Sequence, residues 1–476
     1  MHYRNLFCRA LLPLLLLLAT GQLQANTFEE RIDALLKDPN LNHGIQGVVV
    51  KSLKTGRIIY ERNADLVFIP ASNLKLLVGA VALDRLGPDF TYRTTVYATG
   101  RINSRGVLEG DLVLKGGGDP VLNTDALASL AKQIKSKGIS KIAGKLLVDD
   151  NYFDNQRLGW GWSWDDIPYY YSAEISALNL NRNVVDVYVR PGRTVGSRAI
   201  VRIDPPTNYV KVDNSATTGG PDVEKNVRVD RALGSNTIRV RGTVPLGAKA
   251  SAPEEAITVT EPAMYAGHVF RDRLAKEGIL VIGGVERGTL PEGAIELAVH
   301  RSAPLSQILP LLMKPSDNLI AEVLLKTLGA AVKGQGTTDA GIEVETEFCR
   351  QIGMDVTALK IVDGSGLSRL NFISPSNLVV LLAYMYGHKH ASVYIDSLPV
   401  AGVDGTLRNR MKGTAAEKNV RAKTGYVSRV SSLSGYVNTR SGEALAFAIL
   451  MNNHLCTNSA ATAVQNAICT TLAELP

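Results

Sequence analysis

Residues 70–83, Pro70-Ala-Ser72-Asn-Leu-Lys75-Leu-Leu-Val-Gly-Ala-Val-Ala-Leu83, decide the fold of this chain. After the polar start, nearly every side chain is apolar, and Ser72 is placed to lie in the first turn of a helix. A surface helix keeps one polar face, so a helix that is apolar on every side is predicted to be buried. Ser72 and Lys75 stand three positions apart and therefore share a helix face. The stretch predicts a core helix whose first turn carries a hydroxyl and an amine.

Two further polar motifs follow in the chain, Ser316-Asp-Asn318 at a loop-to-helix junction and Lys423-Thr-Gly425 on a strand. A serine hydroxyl is a weak nucleophile until a neighbouring base takes its proton. Lys75 can be that base if burial and a second cation, Lys423, lower its pKa. Free N–H groups at a helix start can bind a developing oxyanion. The three motifs predict nucleophilic catalysis with Ser72 as the nucleophile.

The third motif also suits the binding of a substrate. The Lys423 ammonium and the Thr424 hydroxyl fit a substrate carboxylate, and Gly425 lets a ligand backbone lie close to the strand. No metal-binding motif is found, and no metal or organic cofactor is predicted. Lys115-Gly-Gly-Gly-Asp-Pro120 resembles a phosphate loop but lacks the Gly-Lys-Ser/Thr ending, so a turn is predicted there.

Two of the three motifs occur a second time, as short matches in a different structural setting. Ser129-Leu-Ala-Lys132 falls on an amphipathic helix and is interpreted as part of a solvated face. Lys54-Thr55-Gly56 falls at a hairpin turn, where turn geometry alone explains the glycine. The three motifs that we predict to be catalytic differ from these matches in three ways. They follow one another in the expected order, Ser72 begins a buried helix, and Lys423 lies on a strand.

Composition sets limits on the class of protein. The chain has 476 residues, of which 45% are hydrophobic and 20% charged, which is typical of a globular protein of about three domains. The net charge of +7 is spread along the chain without a Lys/Arg-rich tract, so nucleic-acid binding has no support. Only one apolar run is long, which excludes a protein that spans the membrane several times.

That apolar run lies at the N-terminus and predicts secretion. Arg4 and Arg9 precede the apolar stretch, and small and polar residues follow it up to Ala25. This order is typical of a signal peptide over residues 1–25; an uncleaved anchor is the alternative. Three cysteines remain after cleavage, Cys349, Cys456 and Cys469, and the last two either pair in an oxidising compartment or stay reduced.

The order of elements predicts one domain that is interrupted by an insertion. Strands and helices occupy both ends of the chain, whereas the pattern is all-β between about residues 184 and 257. The gap between Lys75 and Ser316 holds enough chain for two further domains. The predicted fold class is therefore α/β and multidomain.

The chain resembles the class C low-molecular-mass penicillin-binding proteins, the D-alanyl-D-alanine carboxypeptidase/endopeptidase family (serine peptidase family S13). The three motifs carry part of this resemblance. Longer strings are more specific: Gly116-Gly-Gly-Asp-Pro120, Trp162-Ser-Trp-Asp165-Asp166, Ser176-Ala-Leu-Asn-Leu-Asn181, Asp363-Gly-Ser-Gly-Leu-Ser-Arg369 and Gly402-Val-Asp-Gly-Thr406. The resemblance covers essentially the whole mature chain.

The resemblance implies a β-lactamase/transpeptidase-like domain with a large nested insertion of two further domains, the innermost of which is β-rich. The implied parts are a signal peptide (1–25), the transpeptidase-like domain (26–93 and 293–476), inserted domain II (94–184 and 267–292) and inserted domain III (185–266). It also implies secretion to the periplasm; loose association with a membrane and a homodimer are both left open.

The resemblance also implies a serine DD-peptidase that cleaves the D-alanyl bonds of peptidoglycan stem peptides and cross-links. Ser72 would attack the peptide carbonyl, with Lys75 as base. Ser316 and Lys423 would pass a proton to the leaving amine, and Asn318 would hold the substrate backbone. Thr424 would help Lys423 bind the terminal carboxylate, and the N–H groups of Ser72 and Tyr426 would form the oxyanion hole. β-Lactams would acylate the same serine.

A side-chain pocket for meso-diaminopimelate is implied as well, away from the three motifs in sequence. Trp162, Asp165 and Tyr170 would line it, and Arg369 would complete it. Asp165 would then pair with the ammonium of the diamino acid and Arg369 with its carboxylate. From composition alone, a core tryptophan cluster with solvated acids is the simpler interpretation.

Two other functions compete with the peptidase. A secreted class A β-lactamase would share the motifs, but it needs a Glu-x-x-x-Asn after the second motif, and none stands between Asn318 and Lys423. A wall-binding protein that has lost catalysis is the other alternative. It would be expected to lack some of the polar residues, and all of them are present.

Overall fold

The computed structural model describes residues 27–476, so the predicted signal peptide lies outside the described residues. The helices are α1 (Phe28–Leu36), α2 (Lys75–Leu86), α3 (Thr124–Ser136), α4 (Pro262–Lys276), α5 (Leu305–Met313), α6 (Asn318–Leu328), α7 (Thr338–Gln351), α8 (Pro375–Tyr386), α9 (Ala391–Ser397) and α10 (Asn458–Ala473). No described helix combines the length and the apolar character that a membrane crossing requires.

The strands fall into a first group near the N-terminus and in the first half of the insertion: β1 (Ile45–Ser52), β2 (Ile58–Arg62), β3 (Arg93–Ala98), β4 (Arg101–Ile102), β5 (Val107–Glu109), β6 (Leu112–Gly116), β7 (Lys141–Ile142) and β8 (Leu146–Asp149). The middle of the chain contributes β9 (Val184–Arg190), β10 (Ile200–Asp204), β11 (Lys211–Asn214), β12 (Thr217–Gly219), β13 (Asn226–Arg231), β14 (Thr237–Pro245) and β15 (Glu255–Thr258). The rest are β16 (Leu280–Val281), β17 (Val285–Arg287), β18 (Ile295–Arg301), β19 (Leu359–Lys360), β20 (Phe372–Ile373), β21 (Arg421–Val427), β22 (Val430–Asn438) and β23 (Ala444–Asn452).

One antiparallel sheet joins the two ends of the chain, in the order β2-β1-β23-β22-β21. Helices cover both of its faces, with α8 against β1 and β23 on one side and α10 against β22 on the other. This double cover explains why Val430–Val437 are buried without the usual alternation. Strands from both ends of the chain therefore share one sheet.

Helix α2 lies in the largest hydrophobic core, among α5, α6, α7 and α9. Every residue from Lys75 to Leu83 is buried, as the apolar sequence of this helix predicts. Gly79 allows the closest approach, since a Cβ there would lie 2.4 Å from the Met313 side chain of α5. Helix α2, which directly follows the turn that contains Ser72, is therefore packed against other helices on all sides.

The insertion begins with two sheets that pack with α3 and α4. Their orders are β17-β8-β6-β3-β18 and β16-β7-β5-β4. Strand β18 pairs with β3 along its whole length, so the predicted boundary at residue 292 is about ten residues too early. The predicted boundary at residue 266 is also wrong, because it cuts α4, which packs on β8 and β17.

The all-β stretch forms the innermost part of the insertion. Strands β10, β9 and β15 form one sheet, and β14 pairs with β11, β12 and β13 in another. A single cluster of buried apolar side chains runs from this part into the sheets and helices that precede it. The two inserted parts therefore share a core, although the sequence predicts them as separate domains.

The second matches to the Ser-x-x-Lys and Lys-Thr-Gly motifs lie where the sequence predicts them. Ser129 and Lys132 are exposed on α3, and Lys54-Thr55-Gly56 forms the turn between β1 and β2. Cys349, Cys456 and Cys469 are all free thiols, so the structure shows no pairing of the last two.

Candidate active site

Ser72 stands in a short 3-10 turn, Ala71–Leu74, that leads directly into α2. Hydrogen bonds hold this turn against the central sheet. The Oγ of Ser432 donates to the carbonyl of Pro70 at 2.6 Å, and Nδ2 of Asn73 donates to the carbonyl of Lys423 at 2.9 Å. Ala71 has a φ of +47°, which is costly for a residue other than glycine. The contacts with the sheet therefore hold Ser72 in a strained turn beside β21.

Lys75 is fully buried, and its Nζ donates to three acceptors. The distances are 2.9 Å to Oγ of Ser72, 2.6 Å to Oδ1 of Asn318 and 2.6 Å to the carbonyl oxygen of Ser365. An ammonium group has three N–H donors, and each of them has a partner here. The amine is therefore fixed within hydrogen-bond distance of the serine hydroxyl.

Burial is the main reason why the pKa of the Lys75 amine is lowered. Removal from water lowers the pKa of Lys75 to about 8, and the acidic side chains of Asp363, Glu322 and Asp317 act in the opposite direction. A lysine with this pKa is partly neutral near pH 7 and can accept a proton from Ser72. The geometry and the shift together satisfy the requirements for a general base.

Ser316 and Asn318 lie where α5 ends and α6 begins. Between them, Asp317 caps α6 by accepting a hydrogen bond from the N–H of Ile320 at 3.1 Å. Asn318 uses both ends of its amide, because Oδ1 accepts from Lys75 and Nδ2 donates to the carbonyl of Tyr171 at 2.7 Å. Ser316 has a φ of +66°, so this second motif also contains a strained backbone.

Lys423 is buried on β21 and faces Ser316 across the cleft. Its Nζ donates to Oγ of Ser316 and to the carbonyl of Thr424, both at 2.8 Å. Burial lowers the pKa of Lys423 well below its usual value, and the nearby charge of Lys75 lowers it further. Each of the two serines therefore has a buried lysine as its hydrogen-bond partner.

Strand β21 forms the edge of the central sheet on the side of the cleft. An edge strand has alternate N–H and C=O groups that no neighbouring strand uses, so they are free for a substrate backbone. Thr424 points its hydroxyl to Oγ1 of Thr406 at 2.8 Å, and Tyr426 is exposed at the mouth of the cleft. The motif Lys423-Thr-Gly425 thus combines a cation, a hydroxyl and an open strand edge.

A cavity of about 450 Å³ brings the three motifs together. The sequence-predicted residues on its wall are Ser72, Tyr170, Ser316, Asn318, Thr424 and Tyr426. Sequence reasoning did not assign the other residues that line it: Asp166, Tyr171, Pro315, Gly366, Leu367, Thr406, Val427 and Ser428. Asp166, Gly366 and Thr406 belong to the longer strings that carry the family resemblance, and those strings were the available signal for them.

The string Asp363–Arg369 forms a loop around two buried carboxylates. Asp363 accepts from the N–H groups of Gly366 and Ser368 at 2.8 and 2.7 Å. Glu322 of α6 accepts from the N–H groups of Gly364 and Ser365 at 3.1 and 2.8 Å. Burial raises the pKa of both carboxyl groups. This loop presents the Ser365 carbonyl to Lys75, a role that sequence reasoning did not identify.

Gly366 explains why this loop can pass so close to the turn that contains Ser72. Its φ is +76°, and a Cβ at this position would lie only 1.9 Å from the carbonyl oxygen of Ala71. A side chain is excluded on both grounds.

The four residues predicted for the side-chain pocket do not all face the cavity. Tyr170 lines it, and Arg369 lies at its rim, where Nη1 donates to the carbonyl of Ser428 at 2.6 Å. Trp162 is instead half-buried and donates from Nε1 to Oδ2 of Asp363 at 3.0 Å. Asp165 is exposed and accepts from Oγ of Ser163 at 2.6 Å, while its neighbour Asp166 lines the cavity.

Asp166 has a structural partner at the cavity wall. Tyr171 donates its hydroxyl to Oδ1 of Asp166 at 2.8 Å, and burial raises the pKa of that tyrosine. The carbonyl of Tyr171 in turn receives the amide of Asn318. Asp166 is therefore linked to the second motif through one tyrosine.

Within residues 27–476, no group of three or more His, Cys, Asp or Glu side chains is arranged to hold a metal ion. The arrangement provides a serine nucleophile with a buried amine base and a second serine with a buried lysine. An open strand edge lies beside them. These parts are suited to acyl transfer from a peptide carbonyl to Ser72.

Comparison with known sequences gives matches along nearly the whole chain. The sequence profile of the D-Ala-D-Ala carboxypeptidase 3 (S13) family matches residues 28–475. A D-alanyl-D-alanine carboxypeptidase of Actinomadura sp. (strain R39) is 41% identical over 485 residues, which cover 98% of this chain and 89% of the relative. The D-alanyl-D-alanine carboxypeptidase DacB of Haemophilus influenzae is 28% identical over 413 residues, covering 86% and 85%.

Comparison with solved structures gives the same result. Penicillin binding protein 4 (dacB) from Haemophilus influenzae matches with a TM-score of 0.81 at 26% identity, over 93% of this chain and 98% of the other. Its complex with a novel β-lactam matches with a TM-score of 0.76 at 25% identity, over 92% and 98%. The α/β multidomain fold predicted from the sequence is therefore confirmed.

Proposed function

Because the chain belongs to the D-Ala-D-Ala carboxypeptidase 3 (S13) family, we propose that it cleaves D-alanyl bonds of peptidoglycan through an acyl-serine intermediate on Ser72. Membership confirms the resemblance seen in the sequence, and it makes this protein a serine-type D-Ala-D-Ala carboxypeptidase. The proposal adds the roles of individual residues, action on cross-links as well as on free stem peptides, and acylation by β-lactams.

The contact between Lys75 and Ser72 carries the mechanism. Oγ of Ser72 attacks the carbonyl carbon of the scissile D-alanyl bond while its proton passes to Nζ of Lys75, 2.9 Å away. The N–H groups of Ser72 and Tyr426 bind the oxyanion that forms. Collapse of this intermediate breaks the C–N bond and leaves an ester on Ser72. The leaving amine takes its proton from Ser316, which regains one through the hydrogen bond from Lys423.

Substrate binding uses the other side of the cleft. The terminal carboxylate lies against Lys423 and the Thr424 hydroxyl, and the substrate backbone pairs with the edge of β21 and with Asn318. An incoming carboxylate raises the pKa of Lys423, which burial otherwise lowers, so binding of substrate favours the charged lysine.

The proton that Lys75 took from Ser72 first restores the one that Lys423 gave up, so that both amines return to their starting states. Water then attacks the acyl carbonyl while Nζ of Lys75 accepts its proton, and this proton passes to Oγ of Ser72 as the ester C–O bond breaks. Asp166 is the only carboxylate among the described residues that line the cavity, and none of them is a glutamate. A class A β-lactamase uses a glutamate to activate this water. The lining therefore favours a peptidase with slow release of bound β-lactams over a β-lactamase.

The rim of the cavity supports recognition of the side chain next to the scissile bond. We assign Asp165 to the ammonium and Arg369 to the carboxylate of a meso-diaminopimelate residue, with Tyr170 and Trp162 as the apolar wall. Asp165 is exposed and directly precedes Asp166, which lines the cavity. The charged N-terminal segment and its apolar run support action in the periplasm, where this substrate is found.

Digestion of purified wall peptides tests the proposal. Uncross-linked pentapeptides should lose one D-alanine, and cross-linked dimers should separate into two stem peptides, each product being identified by mass. A fluorescent penicillin should label the intact protein covalently at Ser72. A protein that binds wall peptides but releases no product and takes no label would instead be a binding protein without catalysis.

A further inference from the structure

All three tryptophans of the chain lie within five residues, at positions 160, 162 and 164. Two of them are exposed to an unusual degree, with 69% of Trp160 and 71% of Trp164 accessible to solvent. These are the highest fractions among the large apolar side chains of residues 27–476. A tryptophan side chain stabilises a fold or a complex most when its large ring is covered. A pair of exposed tryptophans therefore indicates a binding surface. We call Trp160 and Trp164 the tryptophan surface.

The exposure does not arise from a loose loop. Between the two exposed rings, Trp162 points inward and donates to the buried carboxylate of Asp363. Gly161 packs against the distant loop that follows Asp363 in the chain. A Cβ at Gly161 would lie 2.8 Å from Oγ of Ser368 and 2.9 Å from Cδ1 of Leu370. The backbone between Trp160 and Trp164 is thus anchored at Gly161 and Trp162. Binding to such a prepared surface loses little conformational entropy.

The tryptophan surface adjoins the active-site cavity. The same segment continues into Asp166, Tyr170 and Tyr171, which line the cavity. The loop on which it packs provides Gly366 and Leu367 to the same wall. A polymer that enters the cleft through one of its peptides would therefore lie against these two indole rings.

The charge of the segment helps to identify the partner. Between Arg157 and Arg182, the segment contains three acids, Asp165, Asp166 and Glu174, and no lysine or arginine. The two flanking arginines are paired, Arg157 with Glu174 and Glu261 and Arg182 with Asp317. Tryptophans that anchor a protein to an anionic membrane are accompanied by basic residues, so this segment is unsuited to that surface. Sugar rings combine apolar C–H faces, which stack on indoles, with hydroxyl groups that donate to carboxylates. The chemistry of the segment matches a carbohydrate.

We propose that the tryptophan surface binds the glycan strand of the wall polymer, stacking its N-acetylated sugar rings on Trp160 and Trp164. This inference rests on the proposed function, because it places the glycan next to the peptide that Ser72 attacks. It gives the enzyme a preference for peptides that are still attached to their sugar chain.

The three tryptophans make the test direct, since all tryptophan fluorescence of the protein comes from this loop. Peptide-free glycan strands titrated into the intact protein should change the emission in a saturable way. Trp160→Ala and Trp164→Ala should each weaken this binding by about tenfold, and they should slow cleavage of intact wall polymer by a similar factor. Hydrolysis of a free pentapeptide and labelling by benzylpenicillin should stay at the wild-type rate.

Leu280→Ala is the matched control, because it removes another exposed apolar side chain, 58% accessible, from the same insertion. It should leave all four measurements unchanged. Equal losses on free pentapeptide and on polymer in the tryptophan variants would show support of the cleft and overturn the inference. So would an emission change with vesicles containing phosphatidylglycerol but none with glycan strands. Absence of labelling in the wild-type protein would instead contradict the proposed function.

Discussion

The amide nitrogen of Ser72 lies so close to Gly425 that a Cβ built on this glycine would be 3.0 Å from it. The same Cβ would be 2.1 Å from Oγ of Ser432 and 2.7 Å from the carbonyl oxygen of Pro70. At Gly425 the backbone of β21 therefore lies directly beside the backbone of the turn before α2. This contact places the N–H of Ser72 beside the strand that is proposed to complete the oxyanion hole.

Gly425→Ala should slow acylation by benzylpenicillin by about tenfold to a hundredfold, because overpacking of this kind costs about 1–3 kcal/mol and displaces the Ser72 amide. The rate of covalent labelling measures the effect. Gly387→Ala is the control, since the nearest atom to its Cβ is 3.8 Å away and its φ is −91°. Unchanged labelling of the Gly425 variant would show that the strand does not need to lie so close.

Ser72→Ala should abolish covalent labelling by a fluorescent penicillin while thermal unfolding remains cooperative, because the nucleophile is lost without a change in packing. Ser129→Ala changes the exposed serine of the other Ser-x-x-Lys match and should leave labelling intact. Mass analysis of labelled peptides identifies the modified residue. A label on any serine other than Ser72 would overturn the assignment.

Acylation should depend on pH through Lys75. With its pKa lowered to about 8 by burial, the amine is mainly protonated at pH 7, and its neutral, basic form increases as the pH rises. The acylation rate should increase by up to about tenfold per pH unit below this pKa and become level above it. Stopped-flow measurement with benzylpenicillin provides the profile. A rate that does not vary between about pH 6 and pH 9 would exclude Lys75 as the base.

Glu322→Gln should move the rising part of this profile to lower pH. The Glu322 carboxylate raises the pKa of Lys75, so its neutralisation makes the amine a weaker base that is deprotonated earlier. The Gln side chain also holds the Gly364 and Ser365 N–H groups less well, so the level rate should fall by about tenfold. A fall without any shift in pH would mean that Glu322 only supports the loop.

Glu345→Gln provides a closely matched control for that experiment. Glu345 on α7 is also fully buried near Glu322 and Asp363, and both of its carboxylate oxygens are without a hydrogen-bond partner among the described residues. Burial raises its pKa, so the uncharged amide resembles the group already present. Both the rate and its pH profile should match the wild-type protein.

Asp165→Ala and Asp166→Asn should separate two roles of adjacent carboxylates. The first should lower kcat/KM for diaminopimelate-containing peptides by about ten- to a hundredfold and leave acylation by benzylpenicillin unchanged, because only the peptide has the ammonium group. The second should slow both reactions, since Asp166 is linked to Asn318 through Tyr171. Steady-state hydrolysis and labelling rates measure the two effects. Equal losses in the Asp165 variant would remove it from the side-chain pocket.

The sequence alone determined the parts of this protein that depend on short-range spacing. The apolar run after Ser72 specifies a buried helix, and the three-residue spacing to Lys75 brings amine and hydroxyl onto one face. The strand patterns near the two chain ends also belong to segments that pair in one sheet. Distinctive strings identified the family, but they did not explain why each residue is needed.

Only the tertiary structure decided the contacts between segments that are far apart in the chain. It showed that Glu322 binds the N–H of Ser365, whose carbonyl accepts from Lys75. It also showed that β18 pairs with β3 and that Asp166 rather than Asp165 lines the cavity. The physical reason is that helix and strand periodicity are local, whereas burial of a carboxylate or the orientation of a loop depends on its packing partners. For the segment that carries Asp165 and Asp166, that partner is the loop beginning at Asp363, about two hundred residues further along the chain, which contacts Trp162 and Gly161.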